Sequence, residues 1–126
     1  MIQFDEYRLK LEALKPKLDE LAVSLNLDAA KNELERLHAM QESHGFWDDP
    51  EKSQKVVVKT KLLEGKIEKY NKMVSSWEDL LTICEMALEE QDDSLLPELE
   101  EGFATLTEKM EESRLETLLT GEYDSH

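Results

Sequence analysis

From about Pro50 to Glu90 one apolar pattern runs without a break. Val56, Thr60, Leu63, Ile67, Tyr70, Val74, Trp77, Leu81, Cys84 and Leu88 follow one another at alternating steps of four and three. That spacing gathers them into a single stripe on a helix, and at 1.5 Å per residue the helix is a rod of roughly 60 Å. A repeat of 3.5 residues sustained this long favours a left-handed supercoil with a partner. No such helix is stable by itself in water, because helical stability comes mainly from covering the apolar stripe. Whatever else the chain contains must therefore supply helices to lie on this one.

The flanking segments have the right pattern. Phe4, Tyr7, Leu11, Leu14, Leu18, Leu21 and Leu25 form a heptad seam. Pro16 falls inside it, so the spacing predicts either a kink there or a helix that begins near Pro16. A shorter second helix carries Leu27, Ala30, Leu34 and Leu37, with Asn26 or Asp28 as its N-cap and Gly45 as its stop signal. Gln91-Asp92-Asp93-Ser94 supplies turn and cap residues, and Pro97 falls in the first turn of a fourth helix, where its missing N–H costs least. That helix shows Leu96, Leu99, Phe103, Leu106 and Met110, then shifts phase to Leu115, Leu118 and Leu119, and ends at Gly121. The expected fold is all-α: an antiparallel bundle of about four helices, near residues 3–25, 28–43, 50–90 and 94–119, with helices three and four as a long coiled-coil-like hairpin. Residues 1–120 form one helical domain in this reading, and 121–126 begin a linker to further domains.

Charge is distributed unevenly. The chain has 15 Lys plus Arg against 30 Asp plus Glu, a net charge of -15. Residues 91–126 hold 2 basic and 11 acidic groups, whereas residues 48–90 hold 7 and 10. The lysines of the long helix, Lys52, Lys55, Lys59, Lys61, Lys66, Lys69 and Lys72, gather in its first half, the last of them just past the midpoint. Folding helices three and four back on one another around Asp92 would set that half against Glu108, Glu111, Glu112 and Glu116. Exposed pairs add little stability each, so the pattern orients more than it stabilises. So acidic a chain is poorly suited to holding a phosphate backbone, and proteins, basic ones among them, are the expected partners.

The residues offer little chemistry. His38 and Glu42 stand one helical turn apart with His44 nearby, but HExxH, CxxC and calcium-loop spacings are absent, and no metal or cofactor is expected. Cys84, the one cysteine, occupies the long seam as a small hydrophobe whose thiol burial should raise in pKa. No phosphate-binding glycine loop or nucleophile elbow occurs. No catalytic residue is assigned, and the chain is read as not an enzyme. Without a signal peptide or a long apolar run it is expected to be cytoplasmic and not membrane-bound.

One stretch stands apart: Gly45-Phe46-Trp47-Asp48-Asp49-Pro50-Glu51-Lys52. Gly45 reads as the C′ residue of helix two and Phe46 as C″, in contact with Met40. Asp49 caps helix three, with Pro50 at its first position. No local rule requires Trp47, which is expected to pack inward between helices two and three.

This stretch, continued as Ser53-Gln54-Lys55-Val56, together with Gly121-Glu122-Tyr123-Asp124 at the other end, resembles the N-terminal helical domain of bacterial peptide chain release factor 2, a family of class 1 translation termination factors. Phe46, Trp47, Asp49, Pro50, Gly121 and Tyr123 carry the resemblance, which spans the chain; Ser53 stands where the family often has Ala. It implies stop-codon-dependent (UGA/UAA) peptidyl-tRNA hydrolysis by the full-length protein, through a Gly-Gly-Gln loop and a Ser-Pro-Phe tripeptide in later domains. Neither occurs in this sequence. The implied role of this domain is docking on the ribosome, at stalk-base proteins and the GTPase-associated centre, and on the GTPase that recycles such factors. Glu108, Glu111, Glu112 and Glu116 are the candidate contact residues. The alternative is a freestanding coiled-coil adaptor that dimerises through its seams.

Overall fold

A computed structural model describes residues 1–120. Four α-helices follow one another: α1 (Ile2–Ser24), α2 (Leu27–Gln41), α3 (Pro50–Glu90) and α4 (Leu96–Leu119), with single 3-10 turns at Phe46–Asp48 and Asp93–Leu95. Among the described residues there is no strand, and no helix is long and apolar enough to cross a membrane. The helices assemble into two compact units: residues 1–25 with residues 72–120, and residues 26–71. Helix α3 contributes its first half to one unit and its second half to the other.

In the first unit α1 lies along α4. The α1 seam is the one expected: Phe4, Leu11, Leu14, Leu18 and Leu21 are buried, and Tyr7 and Leu25 half-buried. Each full burial of such a side chain contributes about 1.5–3 kcal/mol before the cost of ordering the chain. Tyr7 meets Phe103 of α4 edge-on, with ring centroids 5.3 Å apart, and Lys10 places its ammonium 5.0 Å above the other aromatic partner, the Tyr7 ring. Helix α1 does not begin at Pro16 but runs through it. Both Pro16 and Glu12, whose carbonyl loses its donor, are solvent-exposed, so that carbonyl can turn to water. One residue earlier, the Leu11 carbonyl accepts a hydrogen bond of 2.6 Å from the Trp77 indole N–H of α3.

Burial in the second half of α3 departs from the expected seam. Met73, Leu80, Cys84 and Ala87 are buried, while Val74, Trp77, Leu81 and Leu88 are half-buried. Contacts reach this half of α3 from both α1, through Trp77, and α4, through Leu80, so it buries a broader arc than one two-helix seam. On α4, Gly102 makes room for Leu80: a β-carbon at that position would lie 2.6 Å from Leu80 Cδ2.

The expected change of phase in α4 does not occur. Leu99, Leu106, Met110, Ser113 and Thr117 are buried with Phe103 half-buried, one heptad register kept to the end of the helix. Leu115, Leu118 and Leu119 point outward, 44%, 42% and 81% exposed. Polar inward positions are tolerated because a helical hydroxyl can bond its own backbone, as Thr117 Oγ1 does by donating to the Arg114 carbonyl at 2.7 Å. Between α3 and α4, Gln91 adopts φ 51° and the Asp92 N–H reaches back to the Ala87 carbonyl at 3.0 Å. Asp92 Oδ1 then accepts the Ser94 N–H at 2.9 Å, and Pro97 sits in the first turn of α4.

The close approach at Gly102 is testable against Gly65, around which a β-carbon would meet nothing within 4 Å. Gly102→Leu should destabilise the fold by about 1–3 kcal/mol through overpacking. Gly65→Leu should stabilise it by about 0.5–1 kcal/mol through helix propensity. Urea melts of the two variants give the comparison, and equal shifts of the same sign would refute the packing described.

Candidate functional site

In the second unit α2 packs on the first half of α3, joined by the aromatic–acidic stretch. Leu27, Ala30 and Leu37 of α2 are buried. Asn26 stands at the N-cap position but takes φ 55°, and its side chain makes no cap bond; it serves as a left-handed turn residue instead. Leu37, Phe46 and Val56 form a small core, with Met40 and Leu63 against it. Two polar links tie the helices: Gln41 Nε2 donates to Thr60 Oγ1 at 2.8 Å, and His38 Nε2 lies 3.3 Å from Glu64 Oε2. His38 thus has Glu64 of α3 as a neighbour. Among the described residues no group of three His, Cys, Asp or Glu is placed to hold a metal. Burial raises the Cys84 thiol pKa.

The joint itself differs from the expected glycine cap. Helix α2 ends at Gln41, and its last turn tightens through Glu42 N–H to the Ala39 carbonyl and Ser43 N–H to the Met40 carbonyl. Gly45, at φ 80°, comes after this and opens the 3-10 turn rather than closing the helix. From there the expected start of α3 is found. Asp49 Oδ1 accepts the Lys52 N–H at 3.2 Å, the Asp49 carbonyl accepts the Ser53 N–H at 2.9 Å, and Pro50 is the first helical residue.

Phe46 is buried as expected, but Trp47 is not packed between the helices. It is 61% exposed and meets Phe46 edge-on, with ring centroids 4.7 Å apart. The reason is the 3-10 turn, in which three residues complete a circle, so neighbouring side chains point about 120° apart. With Phe46 inward, Trp47 has to face outward. The result is a large aromatic presented on a short, well-anchored turn.

The acidic residues of α4 lie in the other unit. Glu108, Glu111, Glu112 and Glu116 are all exposed. Glu111 takes a forked contact with Arg114 on its own helix, Nε to Oε2 at 3.0 Å and Nη2 to Oε1 at 2.6 Å. The Arg114 hydrogen bond, aided by the charges of Arg114 and Lys17, holds the Glu111 carboxyl below its ordinary pKa. Beside it a groove of about 450 Å³ opens between α1 and α4, floored by Leu14, Leu21 and Met110 and rimmed by Lys17, Glu20, Glu111 and Arg114. The expected pairing of the α3 lysines with these glutamates concerns groups in separate units for all but Lys72. Gly121 and Tyr123 lie outside the described residues.

The sequence matches the PCRF domain over residues 30–126. The chain belongs to the PCRF domain family. The match takes in α2 from Ala30, the aromatic joint, α3 and α4, and α1 precedes it. This PCRF domain is similar to peptide chain release factor 2 of Lactiplantibacillus plantarum, 30% identical over 123 residues that cover 98% of the chain and 33% of that protein. Similarity to peptide chain release factor 2 of Staphylococcus saprophyticus is 28% over 125 residues, covering 99% and 34%. That of Nitratiruptor sp. is 32% identical over 119 residues, covering 94% and 32%. The chain thus spans about a third of the length of the curated relatives it matches.

The different placement of the two adjacent aromatics predicts different costs. Phe46→Ala should lower stability by about 3–5 kcal/mol, the usual range for a buried aromatic. Trp47→Ala should cost under about 1 kcal/mol, as surface substitutions do. Denaturant unfolding followed by circular dichroism measures both, and a Trp47→Ala loss as large as that of Phe46→Ala would contradict the exposed position.

Proposed function

We propose that this PCRF domain is the ribosome-docking module of a translation termination factor, one that in full-length form directs peptidyl-tRNA hydrolysis at UGA and UAA stop codons. The observation that carries the reading is its similarity, over nearly the whole chain, to proteins named peptide chain release factor 2. The domain contributes attachment and not chemistry. Gly-Gly-Gln and Ser-Pro-Phe do not occur in its sequence, so neither codon reading nor hydrolysis is assigned to it. Its partners in this reading are the proteins of the ribosomal stalk base and GTPase-associated centre and the GTPase that recycles the factor, all in the cytoplasm.

The acidic outer face of α4 is the proposed contact. Glu108, Glu111, Glu112 and Glu116 are exposed on a helix already anchored by its seam, and a row of carboxylates suits basic ribosomal proteins better than bare rRNA. Opposite charge across such a rim acts mainly on the association rate and is weakened by salt.

Co-sedimentation of the purified chain with ribosomes, and with ribosomes stripped of stalk-base proteins, tests the reading. Glu111→Lys with Glu112→Lys should reduce binding several-fold while leaving helicity unchanged, and stripping should reduce it similarly. Binding untouched by both changes would sink the surface assignment.

A further inference from the structure

A second seam runs along α3 on the side away from its core in the residue 26–71 unit. There Ser53, Val56 and Thr60 face inward, buried, with Leu63 half-buried beside them. The outward line passes through Glu51, Lys55, Val58, Leu62 and Gly65, again at steps of four and three. Val58 and Leu62 are 51% and 70% exposed. With Glu51, Gln54, Lys55 and Lys59 they line an open groove of about 410 Å³. Nothing would meet a β-carbon on Gly65 within 4 Å, so a neighbouring backbone could come close there. Alongside this line runs a row of lysines seven residues apart, Lys52, Lys59 and Lys66, and Lys61 stands on the other flank.

We propose that this face of α3 docks an acidic amphipathic helix of a partner protein, whose apolar seam sits on Val58, Leu62 and Gly65 and whose flanking carboxylates meet Lys52, Lys59, Lys61 and Lys66. Charge complementarity argues for this occupant. Residues 26–71 hold 8 basic and 9 acidic groups, while the rest of the chain holds 7 and 21, so cations are concentrated where the apolar pair is exposed. Lysines in the rows bordering a heptad seam are the positions that select a partner helix of opposite charge. A polynucleotide is a poorer fit, because Val58 and Leu62 gain nothing from phosphate, the row contains no aromatic for base stacking and the chain carries -15 overall. The apolar centre is only two turns long, so the contact is a small, exchangeable one of the weak interface class. The proposal is independent of the termination reading, since it draws on the chemistry of this face alone.

The test uses the full chain and a synthetic helical peptide with Leu at seam positions and Glu at flanking ones, followed by NMR. Expected are shifts at Lys55, Val58, Lys59, Leu62 and Lys66, and at least about tenfold weaker binding for Leu62→Glu and for Lys59→Glu with Lys66→Glu. Leu62 is exposed, so its variant should keep the circular dichroism of the parent. Four results would overturn the proposal: no binding of the Glu-flanked peptide, equal binding of a Lys-flanked version, tighter binding of an RNA oligonucleotide or anionic vesicle at the same face, or a dimer of the chain alone that Leu62→Glu dissociates.

Discussion

The register of the apolar seams is the constraint on which everything else in this molecule depends. Against any one neighbour a helix with steps of three and four buries one stripe, and rotating it by one position exchanges what is hidden for what is offered to a partner. In α4 the register set by Leu99, Leu106 and Met110 continues through Ser113 and Thr117. Three leucines at the helix end are thereby left outside and four glutamates stay accessible. Keeping phase leaves the helix straightforwardly packed along its length, whereas following the leucines would require it to twist off its seam. Internal hydrogen bonding of a buried hydroxyl makes that choice affordable.

Much of this was legible in the residues, and the exceptions have physical causes. The α1 seam and the span of α3 follow directly from spacing, and Asp49-Pro50 as the start of α3 follows from the missing donor of proline and the capping carboxylate. Met73, Leu80 and Ala87 were overlooked because a one-seam reading of α3 has no place for a helix covered from more than one side. The α4 register was misread because leucines outrank serine and threonine in any apolar tally, although position decides burial. Trp47 was misplaced because the 3-10 turn that aims it outward is set by how α2 ends, two residues earlier than the glycine suggested. The link from His38 to Glu64 spans 26 residues and has no local signal at all.

The candidate site is accordingly a set of surfaces rather than a pocket. Phe46, Asp49 and Pro50 are joinery, and they hold an exposed Trp47 in a defined place. Acidic residues accumulate on the α4 side and lysines on the first half of α3, in two separate compact units. That arrangement gives this PCRF domain outer faces of different chemistry, as the docking proposed above requires.

The register of α4 is the claim to test first, by thiol labelling. In a Cys84→Ala background, single cysteines at Ser113, Leu115, Thr117 and Leu118 are exposed to a thiol reagent under native conditions. The structure predicts slow reaction at positions 113 and 117 and fast reaction at 115 and 118, in keeping with 2% and 8% exposure against 44% and 42%. Protection of 115 and 118 with fast labelling of 113 and 117 would mean that the helix follows its leucines after all, and the outward faces assigned to α4 would be wrong.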